Sequence, residues 1–344
     1  MKNKKKSVKF SEMVKTVSNG KWDSFKLAVD YAYSKLRFHV TADEYFKYSF
    51  HNLKNRYRKN FLLIYHKKKY RNISTRFFTR SKYVFYSRIS DLYQREIILL
   101  PYCGLDEFLS FVKKHKILVA KPDQGSLGKG VEFFKYTDDE TAIRFFEGFS
   151  KDAPVVLEEY IIQHEKLNEL NPFCVNTIRV VSILFEGEVE IISATLKSAA
   201  THSTFCDNMY SGGIGANVDV ETGVVTTRGR DFKSVYYISH PITGVNFVGF
   251  QVPNWENVVT LIKNAHKRLP QCLIYGWDIA VTPTGADIVE ANNAPDTQLM
   301  QLMDQVPKGK KIIKMMKTIK IQKDYSKTLA ETLDYEGLFA SKKR

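Results

Sequence analysis

Cysteine is scarce in this sequence of 344 residues, which contains only Cys103, Cys174, Cys206 and Cys272. No two of them form a Cys-x-x-Cys pair, which excludes a zinc or redox site of that type. So few cysteines in a chain of this length also disfavour the disulfide framework of a small secreted protein. We therefore expect four reduced thiols.

Long apolar runs and familiar catalytic motifs are missing as well. No stretch approaches the ~18 consecutive apolar residues of a membrane-spanning helix, and the lysine-rich start is not followed by the apolar core of a signal peptide. The histidines show no HxH or HExxH spacing, and there is no GxSxG motif. These absences predict a cytoplasmic protein, compatible with peripheral contact at the inner face of the membrane, and disfavour zinc and serine hydrolases.

Proline is absent before Pro101, and the same region carries all of the excess positive charge. The first 100 residues contain 24 lysines and arginines against seven acids, whereas the remaining 244 residues have a net charge of −2. The lack of proline favours helices, and the capping-box pair Thr41 and Glu44 predicts where one begins. The basic surface is either simply solvated or binds an anionic glycan, a lipid or a nucleic acid.

The change in composition near Pro101 predicts four segments. They are a basic flexible lead (1–20), a helical basic region (21–100), a core (101–308) and a basic helical tail (309–344). Helices are also predicted at 138–149 and 255–269. Apolar alternation and turn residues predict strands at 117–120, 131–134, 155–157, 178–184, 189–195, 218–220, 224–226, 276–281 and 287–291.

A lysine at the end of a predicted strand precedes a glycine-rich loop. Lys121 ends the strand, and the loop runs from Gly125 to Gly130. Glycines let backbone N–H groups approach phosphate oxygens, and Lys121 would add a fixed positive charge. The loop is not a P-loop, because Asp123 stands where the first glycine is required and Gly130 where Ser or Thr is required. A plain hairpin turn is the alternative to a phosphate cover.

Two carboxylates and an amide lie in the last predicted hairpin. Asp278 is on its first strand, and alternation puts Glu290 and Asn292 on one face of its second strand. Such hard oxygen ligands suit Mg²⁺ rather than Zn²⁺. Exposed strand faces are the alternative interpretation, but a charge embedded in an otherwise apolar hairpin needs a partner or a metal.

A third pattern is the apolar strand at 155–157, which runs into Glu158 and Glu159 and then into apolar residues again. Taken alone, it is only a strand with a charged end. In the order glycine loop, Glu-Glu, Asp…Glu-x-Asn, the three patterns resemble the ATP-grasp superfamily. The resemblance implies an α+β ATP-grasp fold, in which two α+β subdomains clasp ATP, after a mostly helical N-terminal region. It also implies ATP and Mg²⁺ as cofactors.

The resemblance further implies a set of site residues. Nucleotide contacts would come from Lys82, Lys121, Gly125, Ser126, Gly128, Lys129, Gly130, Glu158, Glu159, Tyr160, Ile161 and Glu165. Gln163 competes with Glu165 for the ribose. Asp278, Glu290 and Asn292 would hold Mg²⁺.

A narrower resemblance is to the sugar-transfer-associated branch of ATP-grasp proteins, which is similar to glutamate-ligase-type enzymes. It is carried by the sequences around Asn176–Arg179, Asp207-Asn208, Gly212-Gly213 and 219–223. It implies a role in synthesis of cell-surface polysaccharide or capsule. Substrate contacts are predicted at Asn176, Asp207, Asn208, Gly212 and Gly213, although surface turns would have similar sequences.

Two cations are candidate catalytic groups. A guanidinium at Arg179, or an amine at Lys197, would hold a transferring phosphoryl group or an acyl-phosphate. An exposed strand charge is the alternative for each. The preferred hypothesis is a carboxylate–amine ligase that uses small or glycan-linked substrates, with residues 1–100 facing an anionic membrane or glycan and no nucleic acid expected. A sugar or polyol kinase, and a non-catalytic anion- or nucleic-acid-binding protein, are the alternatives.

Overall fold

The computed structural model describes residues 10–66, 81–125, 130–202, 207–293 and 295–318, which fall into two units. The first contains the described residues of 1–73 and 296–320, and the second those of 74–295. This division differs from the predicted segment boundaries at 100/101 and 308/309. One reason is that the strand at Ile97–Leu100 is hydrogen-bonded into a sheet of the second unit.

The regular elements are numbered here in chain order. The helices are α1 (Phe10–Val17), α2 (Lys21–Phe38), α3 (Ala42–Lys47), α4 (Asn55–Arg58), α5 (Lys82–Arg88), α6 (Leu105–His115), α7 (Asp139–Glu147), α8 (Glu165–Leu170), α9 (Trp255–Arg268), α10 (Leu299–Leu302) and α11 (Gly309–Thr318). The strands are β1 (Ile97–Leu100), β2 (Ile117–Pro122), β3 (Glu132–Lys135), β4 (Val155–Glu159), β5 (Thr177–Phe185), β6 (Glu188–Ser198), β7 (Ile214–Val218), β8 (Gly229–Arg230), β9 (Tyr236–Tyr237), β10 (Ile274–Thr282) and β11 (Gly285–Asn292).

The first unit is helical and has an aromatic core. The predicted capping box is confirmed, because the Thr41 side chain accepts a hydrogen bond from the Glu44 backbone while the Glu44 carboxylate accepts one from the Thr41 backbone. The helical character predicted for the tail is confirmed in α11, and residues 319–344 lie outside the described part. Fully buried core side chains are Tyr45, Tyr48, Phe50, Phe61, Ile312 and Met315. No helix in the described ranges is long and apolar enough to cross a membrane.

A four-stranded antiparallel sheet of order β1-β4-β2-β3 forms one part of the second unit. One of its faces packs on α6 and α7 through Phe108, Phe134 and Leu157. The predicted strands in β2, β3 and β4 and the helix in α7 are confirmed. β1 lies in a region predicted to be mostly helical, and its four residues are all buried, as expected of a continuous apolar run in a sheet.

A seven-stranded antiparallel sheet of order β11-β10-β5-β6-β7-β8-β9 forms the other part. The predicted hairpins β5–β6 and β10–β11 are confirmed, and Glu186 and Gly187 turn the first one with φ values of 55° and 86°. Of the strands predicted at 218–220 and 224–226, only Val218 lies in a regular strand, and an isolated bridge joins it to Val225. Helix α9 shares one apolar core with the inner face of this sheet, which leaves the polar residues of β5, β6, β10 and β11 on the other face.

Candidate active site

Strand register gathers the predicted charged residues on the polar face of the seven-stranded sheet. Asp278 on β10 lies directly opposite Glu290 on β11 and opposite Arg179 on β5. Arg179 in turn lies opposite Thr195 on β6, two residues before Lys197. Because directly opposite residues share a face, these four charged side chains point to the same side.

Asp278 is the centre of a buried ion cluster. The Arg179 guanidinium holds it with two hydrogen bonds, Nε to Oδ1 at 2.8 Å and Nη2 to Oδ2 at 2.7 Å. Lys197 Nζ lies 2.9 Å from Asp278 Oδ1 and 3.4 Å from Asp207 Oδ1. Burial alone would raise the pKa of Asp278, but these two cations hold it well below its ordinary value. The carboxylate is therefore ionised and firmly placed.

Glu290 differs from its neighbour in having no ion pair within the described ranges, although the positive charges of Lys82, Arg179 and Lys121 act on it. Its carboxylate makes no hydrogen bond or ion pair to any other described residue, and burial, with the nearby charge of Asp278, raises its pKa. Asn292 likewise makes no side-chain hydrogen bond within the described ranges. An enclosed carboxylate without a partner favours binding of a cation. Two carboxylate oxygens and an amide oxygen thus fit Mg²⁺ chemically.

The described ranges contain no metal site that is built only from carboxylate, thiol or imidazole ligands. No group of three or more His, Cys, Asp and Glu side chains there is arranged to hold a metal ion. A metal at this hairpin would therefore depend on the amide oxygen of Asn292 in addition to Asp278 and Glu290.

A second buried ion cluster joins the two sheets through Arg95, which the sequence analysis did not single out. Its guanidinium reaches Glu158 Oε2 through Nη2 at 3.1 Å and Asp287 Oδ2 through Nη1 at 2.7 Å. Lys121 Nζ donates to the same Glu158 oxygen at 2.7 Å. Because Glu158 lies on β4 and Asp287 on β11, Arg95 ties the four-stranded sheet to the seven-stranded one. No local pattern distinguishes Arg95 in the sequence.

Strand alternation separates the two candidate hinge acids. Glu158 faces the space between the sheets, whereas Glu159 points the other way and lies 3.4 Å from His115. A nucleotide contact at Glu159 stays a prediction that only its backbone could meet on the pocket side. Tyr160 follows β4 and is partly exposed beside the ring of Phe133, with the ring centroids 6.2 Å apart. Ile161 is next in the chain and partly buried.

A pocket opens between the two sheets and contains several of the predicted residues. Its lining is Lys82, Phe85, Tyr86, Tyr93, Arg95, Ile97, Val156, Glu158, Val289, Glu290 and Ala291. Glu158, which is ion-paired, and Glu290, which has no ion pair within the described ranges, thus share one cavity with Lys82.

Lys82 fixes the start of the glycine-rich loop. Its amine donates to the carbonyl oxygens of Pro122 at 2.8 Å and of Gly125 at 3.3 Å. Burial lowers the pKa of Lys82. Gly130 ends the loop in the left-handed region at φ 71°. The predicted contacts at Ser126, Gly128 and Lys129 lie outside the described residues.

Two polar residues predicted near ligands serve the fold. The Gln163 amide donates to the carbonyl oxygens of Asn171 at 3.1 Å and Cys174 at 2.9 Å, and its oxygen accepts from Asn176 at 3.0 Å. Asn176 is fully buried. Their amides hold the segment between β4 and β5, and the substrate role of Asn176 and the ribose role of Gln163 stay predictions. Glu165, at the start of α8, is exposed.

The predicted substrate loop lies beside the Asp278 cluster. Asp207 accepts hydrogen bonds from the backbone and the hydroxyl of Thr177 in addition to its ion pair with Lys197. Asn208 caps a short 3₁₀ turn, and Gly212 ends it at φ 95°. A Cβ at Gly213 would come within 2.6 Å of the Asp207 carbonyl oxygen, so only glycine fits there.

The family model described as sugar-transfer-associated ATP-grasp matches residues 53–320. No curated protein matches the chain.

Three solved structures illustrate the structural likeness. The ATP-grasp ligase PsnB, complexed with a minimal precursor, Mg and ADP, aligns at 12% identity and a TM-score of 0.41 over 69% of this chain and 59% of PsnB. D-alanine–D-alanine ligase from Bacillus anthracis aligns at 16% identity and a TM-score of 0.38 over 78% and 70% of the two chains. D-cycloserine synthetase DcsG aligns at 10% identity and a TM-score of 0.41 over 70% and 71%. The match thus spans less than two thirds of PsnB.

Proposed function

The chain belongs to the sugar-transfer-associated ATP-grasp family and has its α+β fold, and on this basis we propose that it is an ATP- and Mg²⁺-dependent carboxylate–amine ligase. The observation that carries the proposal is a pair of neighbouring acids. Asp278 is ionised between two cations, whereas Glu290 has no ion pair within the described ranges. The acid substrate is proposed to be a sugar acid or amino acid tied to cell-surface polysaccharide.

The pocket between the sheets would receive ATP. Lys82 and Lys121 supply positive charge for the phosphates, and the apolar side chains of Ile97 and Val156 offer a surface for the adenine. Lys121 is held by Glu158, which keeps its amine in place before a phosphate competes for it. The loop that starts at Gly125 would cover the phosphates.

Mg²⁺ would be held by Asp278, Glu290 and Asn292, and when bound it neutralises charge on the transferring phosphates. Arg179 and Lys197 would bind the substrate carboxylate and the acyl-phosphate formed from it. A carboxylate oxygen attacks the γ-phosphorus and ADP leaves. The amine nitrogen then attacks the acyl carbon, loses a proton and expels phosphate, so that an amide forms.

The test is product analysis with a panel of amino acids and nucleotide sugars. A ligase releases ADP and phosphate in equal amounts, only when both acid and amine are present, and the amide is seen by mass spectrometry. A kinase would release ADP without phosphate and give a phosphorylated product, and a non-catalytic binder would release no ADP. Either of these outcomes overturns the proposal.

A further inference from the structure

Helix α2 turns a row of large apolar side chains toward solvent. Trp22, Phe25, Val29, Tyr33 and Leu36 are 66%, 59%, 54%, 44% and 82% exposed. Their spacing of three and four residues puts all five on one face of the helix, and we call them the α2 stripe. A contiguous exposed apolar surface of this kind marks an interaction site.

The stripe faces outward because the opposite side of α2 is firmly docked. Ser34 is fully buried and accepts a hydrogen bond from Arg58 at 2.7 Å. Asp30 accepts one from Arg58 at 2.8 Å and one from the Tyr45 hydroxyl at 2.6 Å. Tyr31 stacks on Phe10 with the ring centroids 4.4 Å apart. The side of α2 that docks on the first unit is thus held largely by polar contacts, and the apolar stripe stays exposed among the described residues.

Basic residues border the stripe on both sides. At 100° per residue, Lys21 and Lys35 lie along one edge, and Lys26 and Arg37 along the other. All four are exposed, whereas both acids of the helix, Asp23 and Asp30, are partly buried. The Lys26 amine sits 5.5 Å from the centre of the Trp22 ring. Apolar aromatic residues flanked by lysine and arginine are the pattern of a helix that lies in a lipid headgroup layer.

We propose that the α2 stripe docks on an anionic lipid surface, with its apolar side chains at the acyl boundary and its basic residues on the headgroups. Charge complementarity favours this partner, since residues 1–100 carry a net charge of +17. A second copy of the chain is a poorer partner because the same basic edges would face each other. A nucleic acid offers little to five apolar side chains. This surface is separate from the proposed ATP site.

The chain contains its own reporter for this test. Of its three tryptophans, Trp255 and Trp277 are buried at 7% and 0% exposure, and only Trp22 is exposed. The full-length protein is mixed with vesicles of equal parts phosphatidylglycerol and phosphatidylcholine, or of phosphatidylcholine alone. We expect co-sedimentation with the anionic vesicles, weakened by salt, and quenching of Trp22 emission by brominated acyl chains.

The decisive variant is Phe25→Glu with Leu36→Glu, which should weaken vesicle binding at least about tenfold. Its matched control is Ile238→Glu with Val248→Glu, since these residues of the second unit are 69% and 55% exposed and the charge change is the same. The control should bind like the wild type. Equal loss in both variants, no binding to anionic vesicles, or self-association abolished by the stripe variant instead would overturn the proposal. Thermal melting establishes that both variants fold.

Discussion

The second unit contains two buried ion clusters of the same composition, and they differ in what lies beside them. The first comprises Arg95, Lys121, Glu158 and Asp287, and the second Arg179, Lys197, Asp207 and Asp278. Each holds two cations and two carboxylates. Glu290, which lies directly opposite Asp278 of the second cluster in the strand register, has no ion pair within the described ranges. Charge balance, rather than the presence of charge, therefore distinguishes a structural junction from a site that can accept a metal.

Buried ion pairs are an inefficient source of stability, because desolvation offsets much of the attraction. Their value lies in the geometry that they fix. The Arg95 cluster links strands from two sheets and thereby sets the walls of the pocket. The Asp278 cluster orients a carboxylate whose neighbour, Glu290, is left to a ligand. The following predictions separate these roles.

The largest effect on stability is expected from Arg95→Met. The substitution leaves Glu158 and Asp287 buried with one cation fewer, which should lower the free energy of unfolding by about 3–5 kcal/mol. Urea denaturation measures it. Arg268→Met is the matched control, since Arg268 pairs with Asp91 at the surface and should change little. If the two variants unfold alike, Arg95 is not the junction described here.

The next effect concerns Glu290→Gln. It removes an enclosed charge without a partner, so the ligand-free variant should be at least as stable as the wild type, while turnover of ATP falls by at least about 100-fold. Saturating Mg²⁺ and ATP should raise wild-type stability by about 2.7 kcal/mol at 100 times the dissociation constant. The variant should gain much less.

Thermal melting with Mg²⁺–ATP, and with ATP plus a chelator, measures this difference. Glu188→Gln is the control, because Glu188 is an exposed acid at the far end of β6. A variant that Mg²⁺–ATP stabilises as much as the wild type would remove Glu290 from the metal site.

Local patterns brought together Asp278 and Glu290 but not the ion pairs of the two clusters, since even Arg179 lies 99 residues from Asp278 in the chain. Asp278 and Glu290 could be brought together from the sequence because a short hairpin joins them and alternation fixes their face. Arg95 could not, since its partners are 63 and 192 residues away in the chain. Their meeting depends on how the two sheets pack.

The same limit applies to Glu158, Glu159 and Asn176. Alternation requires that Glu158 and Glu159 face opposite ways, but only the packing of α6 and α7 decides which of them faces the pocket. The sequence predicts a substrate contact at Asn176 because it does not distinguish an asparagine that is hydrogen-bonded inside the fold from one that binds a ligand. Its hydrogen bonds are to the Gln163 side chain, 13 residues away, and to backbone carbonyls, the farthest of which is that of Leu167.

The inner face of the seven-stranded sheet contains a titratable group, His266, that is neutral in the folded protein. His266 is fully buried, with Nδ1 2.7 Å from Ser182 Oγ and Nε2 3.0 Å from the Cys272 carbonyl oxygen. The Trp277 indole donates to the Ser182 oxygen at 2.8 Å. The Ser182 hydroxyl therefore donates to Nδ1, and Nε2–H donates to the Cys272 carbonyl oxygen. With a proton on Nε2 alone, the His266 imidazole is neutral. Burial lowers the pKa of His266 to about 4.

This pKa gives the smallest of the predicted effects, with a definite sign. Below pH 6.5 the unfolded chain binds a proton at His266 that the folded chain does not, so stability falls as the pH drops, by about 2 kcal/mol at pH 5. His266→Gln should be less stable at pH 7 but lose less between pH 7 and pH 5, as measured by urea midpoints. The titration of carboxylates elsewhere changes the stability of both proteins equally and therefore cancels when their pH profiles are subtracted. Parallel pH profiles would mean that His266 takes up its proton as readily in the folded chain as in the unfolded one, which would place a buried charge on a face that is otherwise apolar.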